Sequence, residues 1–271
     1  KRFIDKKPDK MQEIEALAAG LKAYTTWHTT ATLQECREAC GGKGYLSVNR
    51  IDALKNDTDV YTTFEGDNTV LMQLVAKNRL SVFRKQISEM DSMGKVSYVW
   101  NQTKIILSEK NPFVTRDTNE THLLDKEFHL NAFYYREQEI ATSAAKRITK
   151  LIDSGLDAYD AFNVVQHQMI DVAKAYLDRV VLEQFLLTIE SIEEASSKAI
   201  LQKMAQLFAL HKIEENKAWY LENNYLEPVK TKAIRKIVNQ LCWEIRPEAV
   251  ALVDAFGIPE SCLAAPIAMK K

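Results

Sequence analysis

The chain is 271 residues long, and its 36 Lys and Arg nearly balance its 37 Asp and Glu. This balance predicts no nucleic-acid partner and no attraction to an anionic membrane surface. The apolar runs fall short of the roughly 20 residues that cross a bilayer, and the charged residues 1–10 lack the apolar segment of a secretory signal. Four cysteines, at positions 36, 40, 242 and 262, form no dense disulfide framework and fit a reducing compartment.

Helix-forming residues dominate the chain, which has only eight glycines and six prolines for its turns. Together with long windows of 3.6-residue periodicity, this composition predicts an all-α fold. The first predicted helix spans 11–40 and would be about 45 Å long. A loop over 46–64, a helix over 68–86 and an irregular segment over 88–121 follow. The later predicted helices span 120–151, 157–188, 190–211, 213–222, 228–244 and 246–256.

A cluster of glycines ends the first predicted helix, where Gly41, Gly42 and Gly44 are three of the eight in the chain. Glycines suit a helix C-cap and let the backbone approach a ligand closely. Cys36 and Cys40 lie four residues apart on one face of the same helix and could share a metal ion. Because no second ligand pair accompanies them and the five histidines lack a metal-binding spacing, we expect buried apolar cysteines and no metal.

One carboxylate, Glu65, precedes Gly66 in a predicted tight turn directly before the helix over 68–86. Asp67 and Asn68 are good N-cap residues for that helix. A carboxylate at this place can be directed into a cleft from a rigid helix entrance, and the free N–H groups of the helix can bind an anion. Glu before Gly is also common in ordinary loops, so the pattern alone leaves open an active-site carboxylate or a plain turn.

Residues 36–45 (CREACGGKGY) and 64–71 (FEGDNTVL) together resemble the acyl-CoA oxidase branch of the flavin-dependent acyl-CoA dehydrogenase superfamily. Later blocks are similar to the additional C-terminal helical domain of these oxidases. These blocks are 211–216 (HKIEEN), 219–226 (WYLENNYL), 252–259 (LVDAFGIP) and 263–267 (LAAPI). The resemblance covers essentially the whole chain.

The resemblance implies two helical bundles. Residues 1–110 would form a dehydrogenase-like C-terminal four-helix bundle, and residues 111–271 would form the oxidase C-terminal helical domain. Enzymes of this kind also have an N-terminal helical domain and a β-domain, and no strand-rich stretch of this sequence could form the latter. We therefore expect the chain to be the C-terminal part of a longer enzyme, with the missing N-terminal part as a partner. The family also implies a homodimer.

By this resemblance the parent enzyme is an FAD-dependent oxidase. It would convert a fatty acyl-CoA and O2 into trans-2-enoyl-CoA and hydrogen peroxide, which is the first step of a β-oxidation cycle. Glu65 matches the base that removes the α proton, Phe64 would lie along the acyl chain, and Gly66 would lie beside the thioester. A carboxylate within hydrogen-bonding reach of that proton can act as a general base.

The resemblance also assigns contacts with the flavin cofactor. Asp67, Asn68 and Thr69 match positions that approach the flavin in the superfamily. The backbone of Gly41 and Gly42 matches the segment beside the adenosine-diphosphate part of an FAD molecule that the partner subunit binds for the most part. These expectations make the glycine cluster and the Glu65 turn two parts of one predicted active-site region.

Two alternatives to an oxidase stay open: an acyl-CoA dehydrogenase that passes electrons to an electron-transfer flavoprotein, and a non-catalytic helical module that dimerises. The dehydrogenases usually have Gln at the position of Glu38, and a carboxylate there is not expected to contact a pyrophosphate. The long stretch after Glu65 favours the oxidase, because ordinary dehydrogenases end soon after the corresponding helix. The last residues, 268–271 (AMKK), lack the Ser-Lys-Leu peroxisomal address, which predicts a bacterial cytoplasm, with a peroxisome second.

Overall fold

The computed structural model describes residues 8–89 and 112–269, which form α-helices, short 3₁₀-helices and turns without a β-strand. The predicted all-α class is confirmed. Most of the irregular segment predicted over 88–121 lies outside the described residues. No helix in this part of the chain combines the length and hydropathy needed to span a bilayer. In chain order the helices are α1 (Pro8–Ala39), α2 (Ile51–Asp59), α3 (Asn68–Glu89), α4 (Pro112–Thr115), α5 (Glu120–Leu123), α6 (Lys126–Asp153), α7 (Ala158–Val164), α8 (Gln166–Glu190), α9 (Ala195–Glu215), α10 (Lys217–Glu222), α11 (Pro228–Ile245) and α12 (Ala249–Asp254).

A first hydrophobic core lies between α1, α3, α6 and α8. Its fully buried side chains include Ala23 of α1, Met72 and Val75 of α3, Ala144 of α6 and Leu177 of α8. Burying each large apolar side chain of this kind contributes roughly 1.5–3 kcal/mol. The start of α3, where the candidate catalytic turn ends, is therefore packed firmly against α1.

A second core lies between α5, α6, α8, α9, α10 and α11, and includes Leu123, Leu210, Tyr220 and Ile234. Helices α6 and α8 contribute to both cores. Their 28 and 25 residues make them about 42 and 38 Å long. The predicted division into two domains near residue 110 stays a prediction. The first core combines α1 and α3 from one side of this position with α6 and α8 from the other.

A buried carboxylate, Glu137 of α6, joins α3 to α8. Glu137 is 1% exposed, and its Oε1 accepts a hydrogen bond from Arg79 Nη2 of α3 at 2.7 Å. Arg179 of α8 binds the other oxygen, Oε2. A carboxylate removed from water needs such partners, because an unpaired buried charge is strongly destabilising. This network fixes α3 to the two helices that the cores share.

Aromatic side chains fill the second core. The rings of Tyr135 and Tyr225 stack with centroids 4.5 Å apart, and Tyr220 meets Trp219 edge-on at 5.2 Å. The hydroxyl of Tyr220 donates to the carbonyl of Ala132 at 3.0 Å, as a buried phenol requires. Tyr135 and Tyr220 are buried in this core, and Trp219 packs against it.

The loop predicted over 46–64 is wrong in part, because nine of its residues form α2. This helix begins after Arg50, whose φ of 61° is left-handed, and carries Asp52 in its first turn. Acidic residues there favour a helix through its dipole. The polar residues 55–59 resemble a loop in composition, although they lie on a helix where 56, 57 and 59 are exposed and Lys55 binds Gln34 of α1. Short 3₁₀-helices at Ser47–Asn49 and Val60–Thr62 flank α2.

The last described residues return to the glycine cluster. A 3₁₀-helix at Pro266–Ala268 packs beside Ser47–Asn49. The side chain of Asn49, which is 4% exposed, accepts a hydrogen bond from the Ile267 amide at 3.0 Å. It donates another to the carbonyl of Lys43 at 2.8 Å. Asn49 thus joins the end of the chain to the segment that carries the clustered glycines.

Candidate active site

Glu65 lies at the apex of a sharp turn between the 3₁₀-helix Val60–Thr62 and α3. Its φ is 60° and that of Gly66 is 102°, so two consecutive residues have left-handed backbone. This conformation is uncommon for a residue other than glycine and is found enriched at functional sites. The side chain of Glu65 is exposed, and that of Phe64 beside it is 65% exposed. The turn therefore presents a carboxylate and an aromatic ring on the outside of the first bundle.

Asp67 caps the N-terminus of α3. Its Oδ1 accepts hydrogen bonds from the amides of Thr69 and Val70 at 2.9 and 3.3 Å, and its carbonyl accepts from Leu71 at 2.9 Å. The predicted capping role of Asp67 is thereby confirmed. Two of the helix N–H groups that could have bound an anion are occupied by this carboxylate. The side chain of Thr69 is exposed.

Asn68 faces α1 and is 1% exposed. Its Oδ1 accepts a hydrogen bond from Lys22 Nζ at 2.9 Å. Its Nδ2 donates to Thr26 Oγ1 at 2.9 Å and to the carbonyl of Ala23 at 3.4 Å. Since both polar atoms of the side chain are engaged with α1, a contact of Asn68 with a flavin would have to use its backbone. The flavin contact predicted for Asn68 stays a prediction.

Lys22 of α1 is a site residue that the sequence did not predict. Its Nζ donates to the carbonyl of Gly66 at 2.7 Å as well as to Asn68. The two partners are 44 and 46 residues away in sequence, so no local spacing could indicate the contact. An ammonium group bound to two neutral oxygens makes strong, charge-assisted hydrogen bonds. The turn that carries Glu65 is thus fixed from the opposite helix.

The clustered glycines differ in their surroundings. A Cβ atom on Gly44 would lie 2.0 Å from the Arg37 carbonyl oxygen, so Gly44 is required for close packing against α1. A Cβ on Gly41 or Gly42 would meet nothing within 4 Å, and Gly41 has a φ of +55°. The backbone at Gly41 and Gly42 is therefore open to approach from outside, as the resemblance requires.

Arg37, beside the glycines, is a second residue that the sequence analysis did not single out. Its Nη2 donates to Gln34 Oε1 at 2.6 Å, and its guanidinium lies 4.8 Å from the Tyr45 ring centroid. Its Nε is buried and has no hydrogen-bond partner among the residues that the structure describes. Glu38 accepts from Gln34 Nε2 at 2.5 Å, so its carboxylate is engaged with its own helix. The positive charge of Arg37 near the glycines favours a phosphate-bearing ligand.

The structure places the glycines and the Glu65 turn apart. Lys22, which holds the turn, and Gly41, which follows the end of α1, are separated by about 28 Å along this helix. Both segments nevertheless rest on the same framework, since Gly41–Tyr45 and Val60–Thr62 each contact α1 and α2. One chain therefore does not bring the two predicted parts of the site into a single pocket.

The expected burial of Cys36 and Cys40 is wrong: Cys36 is exposed and Cys40 is half-buried. Cys36 lies in the last turn of α1 and Cys40 directly after its end, beyond the part of that helix that faces the first core. Across residues 8–89 and 112–269, no cluster of three or more His, Cys, Asp or Glu side chains is arranged to hold a metal ion.

Comparisons with known proteins agree along most of the chain. The acyl-CoA oxidase family model matches residues 125–271, and that of the acyl-CoA oxidase C-alpha1 domain matches residues 1–92. Acyl-coenzyme A oxidase 2, peroxisomal, from Arabidopsis thaliana is 37% identical over 258 residues, which cover 95% of this chain and 37% of that protein.

Solved structures show the same relationship. The crystal structure of acyl-CoA oxidase 1 from Yarrowia lipolytica matches with a TM-score of 0.83 and 28% identity, over 95% of this chain and 36% of that one. Acyl-CoA oxidase-2 of Caenorhabditis elegans, whose structure is bound with FAD, ascaroside-CoA and ATP, shares the fold with a TM-score of 0.79 at 20% identity. This match covers 97% of the chain and 38% of the nematode protein.

The expectation of a bacterial cytoplasm is wrong. The Arabidopsis relative carries the word peroxisomal in its name, as do two others from that plant at 32% identity. The absence of a Ser-Lys-Leu address was weak evidence, because such a motif is read by a receptor and is required by neither the fold nor the chemistry.

The chain spans somewhat more than a third of the length of these relatives. One family model falls on the part that carries Glu65 and the glycines, and the other falls on the helices that build the second core. This order agrees with the motifs at 36–45 and 64–71 and with the blocks that follow residue 210. The chain belongs to the acyl-CoA oxidase family.

Proposed function

We propose that the protein containing this chain is an FAD-dependent acyl-CoA oxidase that converts a fatty acyl-CoA and O2 into trans-2-enoyl-CoA and hydrogen peroxide. The presentation of Glu65 carries this proposal: a single carboxylate stands at the apex of a left-handed turn, in a chain of the acyl-CoA oxidase family. The rest of the site would come from the part of the enzyme that accounts for the greater length of the relatives.

Glu65 is the proposed general base. Oxidation between the α and β carbons of a thioester requires removal of the α proton, and a carboxylate can accept it from hydrogen-bonding distance. Phe64, exposed beside it, would contact the acyl chain. Gly66 would lie next to the thioester, where the lack of a side chain leaves room for the substrate.

FAD is the cofactor that family membership implies. When bound, it would accept a hydride from the β carbon and pass the electrons to O2, giving hydrogen peroxide. The open backbone of Gly41 and Gly42 would approach its pyrophosphate, and the guanidinium of Arg37 would add a positive charge nearby. Asp67, Asn68 and Thr69 would lie near the flavin ring, with Asp67 also holding the start of α3.

A homodimer is the proposed assembly. The glycines and the Glu65 turn of one chain are about 28 Å apart along α1. We therefore propose that these two segments of one chain contact two different FAD molecules. In a dimer the glycine segment of one subunit can contact the FAD bound chiefly by its partner. We propose the peroxisome as the compartment, as the names of the Arabidopsis relatives suggest.

The test uses the full-length enzyme with Glu65→Gln, which keeps the shape of the side chain but cannot take a proton. We expect acyl-CoA-dependent peroxide formation to fall by about 10²–10⁴-fold, the usual contribution of a general base. FAD content should stay equal to that of the wild type. The matched control, Glu193→Gln, changes an exposed glutamate in the second half of the chain and should leave the rate unchanged.

The outcome also separates the alternatives. A Glu65→Gln variant with more than about a tenth of the wild-type rate would remove Glu65 from the role of base. Turnover with an artificial electron acceptor but without peroxide formation would indicate a dehydrogenase. A full-length protein that binds FAD with neither activity would leave only the non-catalytic dimerising module.

A further inference from the structure

We propose that Lys22 is a positioning residue for the oxidation, which holds the Glu65 turn in place through the Gly66 carbonyl and the buried side chain of Asn68. This inference rests on the proposed role of Glu65 as the base. Lys22 lies on α1, touches neutral oxygens on both partners, and acts on the chemistry through the backbone of the turn.

The Glu65 turn needs an external anchor because its backbone is strained. Residues 65 and 66 both have positive φ, which is unfavourable for Glu65. Helix-type hydrogen bonds hold the chain before the turn, from Phe64 N to the Val60 carbonyl at 3.0 Å, and after it, from Leu71 N to the Asp67 carbonyl at 2.9 Å. Lys22 binds the carbonyl of Gly66 between these two points.

Asn68 makes the anchor rigid. Its oxygen accepts from Lys22, and its amide nitrogen donates to Thr26 Oγ1, one helical turn farther along α1. Thr26 in turn donates to the Lys22 carbonyl at 2.9 Å. The three side chains close a network between α1 and the first residue of α3. Removing the ammonium group would leave the Gly66 carbonyl and the Asn68 oxygen without this donor.

The consequence for catalysis is geometric. A general base must lie within about 3 Å of the proton that it removes, and a displacement of about 1 Å can slow a reaction roughly 100-fold. If Lys22 sets the position of the turn, its loss should slow proton removal more than it weakens binding of the acyl-CoA. FAD binding at the glycine cluster, far along α1, should not change.

The decisive variant is Lys22→Met in the full-length enzyme, which keeps the length and helix propensity of the side chain but removes its N–H donors. We expect anaerobic reduction of the enzyme by acyl-CoA to slow by about 10–100-fold, with KM changed by less than about threefold and FAD content unchanged. With an α-deuterated substrate, the kinetic isotope effect on this reduction should be larger in Lys22→Met than in the wild type. Lys77→Met, an exposed lysine on α3, is the matched control and should match the wild type.

A rescue experiment separates positioning from a general structural role. In Lys22→Ala, added ethylamine should restore part of the rate in a saturable manner, because a primary ammonium can rebuild both hydrogen bonds. Tetramethylammonium carries the same charge without an N–H group and should not rescue. Hydrogen exchange of residues 64–71 in the present chain is an independent readout that requires no turnover, and it should be faster in Lys22→Met.

Each result bears on the proposal. A reduction rate within about twofold of wild type in Lys22→Met, with unchanged exchange over 64–71, overturns it. If Lys22→Met does not fold, Lys22→Gln keeps one weaker donor and should give intermediate rates; wild-type behaviour of that variant again overturns it. An active Glu65→Gln enzyme would refute the proposed role of Glu65 as the base, while an inactive one beside a normal Lys22→Met enzyme would refute only the role of Lys22.

Discussion

At the scale of single residues, glycines within a few positions of one another serve different purposes. Gly44 is needed because the Arg37 carbonyl lies where its Cβ would be. Gly42 has open space around it and no positive φ, so the fold itself does not require a glycine there. A residue that the fold does not need as glycine, in a segment proposed to contact a pyrophosphate, fits a close approach of the ligand to the backbone.

The glycines can be tested by a pair of alanine variants. Gly44→Ala should lower the free energy of unfolding by about 2 kcal/mol or more, because the backbone must shift to admit the methyl group. Gly42→Ala should change it by less than about 0.5 kcal/mol, yet weaken FAD binding to the full-length enzyme roughly tenfold. Urea unfolding and flavin titration give the two quantities. Equal stability losses in both variants would contradict this division of roles.

At the scale of helices, periodicity predicted most of the long elements because they bury one face. The helix predicted over 228–244 is Pro228–Ile245, and the one over 11–40 is Pro8–Ala39. Helix α2 was missed because it is only nine residues long, is largely polar and buries no side chain fully. The Glu65 turn was predictable from Glu65, Gly66 and the cap at Asp67, which are adjacent in sequence.

The rest of the site could not be predicted, because it depends on contacts between elements. Lys22 reaches the Glu65 turn only when α1 packs beside α3, and no spacing in the sequence brings residues 44 apart together. The solvent-facing position of Cys36 likewise follows from where α1 leaves the first core. Asn49 is a third case, since its two partners come from the glycine segment and from the end of the described chain.

Asn49→Ala should release the segment around Ile267 from the glycine cluster. The variant removes the acceptor for the Ile267 amide and the donor to the Lys43 carbonyl, which together contribute about 1–3 kcal/mol. We expect faster proteolysis within 255–269 and faster hydrogen exchange over 41–49, with little change in the helical signal. Asn56→Ala, in an exposed position of α2, is the control. Unchanged proteolysis would show that apolar contacts alone hold this segment.

At the scale of the whole molecule, the two cores are joined by shared helices. Helices α6 and α8 supply buried side chains to both, and the pairing of Glu137 with Arg79 and Arg179 ties α3 to them. Neither core can lose these helices without exposing apolar surface in the other. The part of the chain that carries Glu65 is therefore stabilised by packing that extends to α11, far from the proposed chemistry.

This architecture predicts that the chain unfolds in one cooperative transition, although chains beyond about 150 residues often unfold in steps. Met72→Ala removes a buried side chain from the first core, and Leu210→Ala removes one from the second. Each variant should lower the free energy of unfolding by about 2–5 kcal/mol and shift the same single urea transition to lower concentration. Far-ultraviolet circular dichroism and tryptophan fluorescence should report the same transition. Leu187→Ala, at a position 58% exposed on α8, should have little effect. A biphasic curve in which Met72→Ala moves one phase and Leu210→Ala the other would mean that α6 and α8 do not couple the cores.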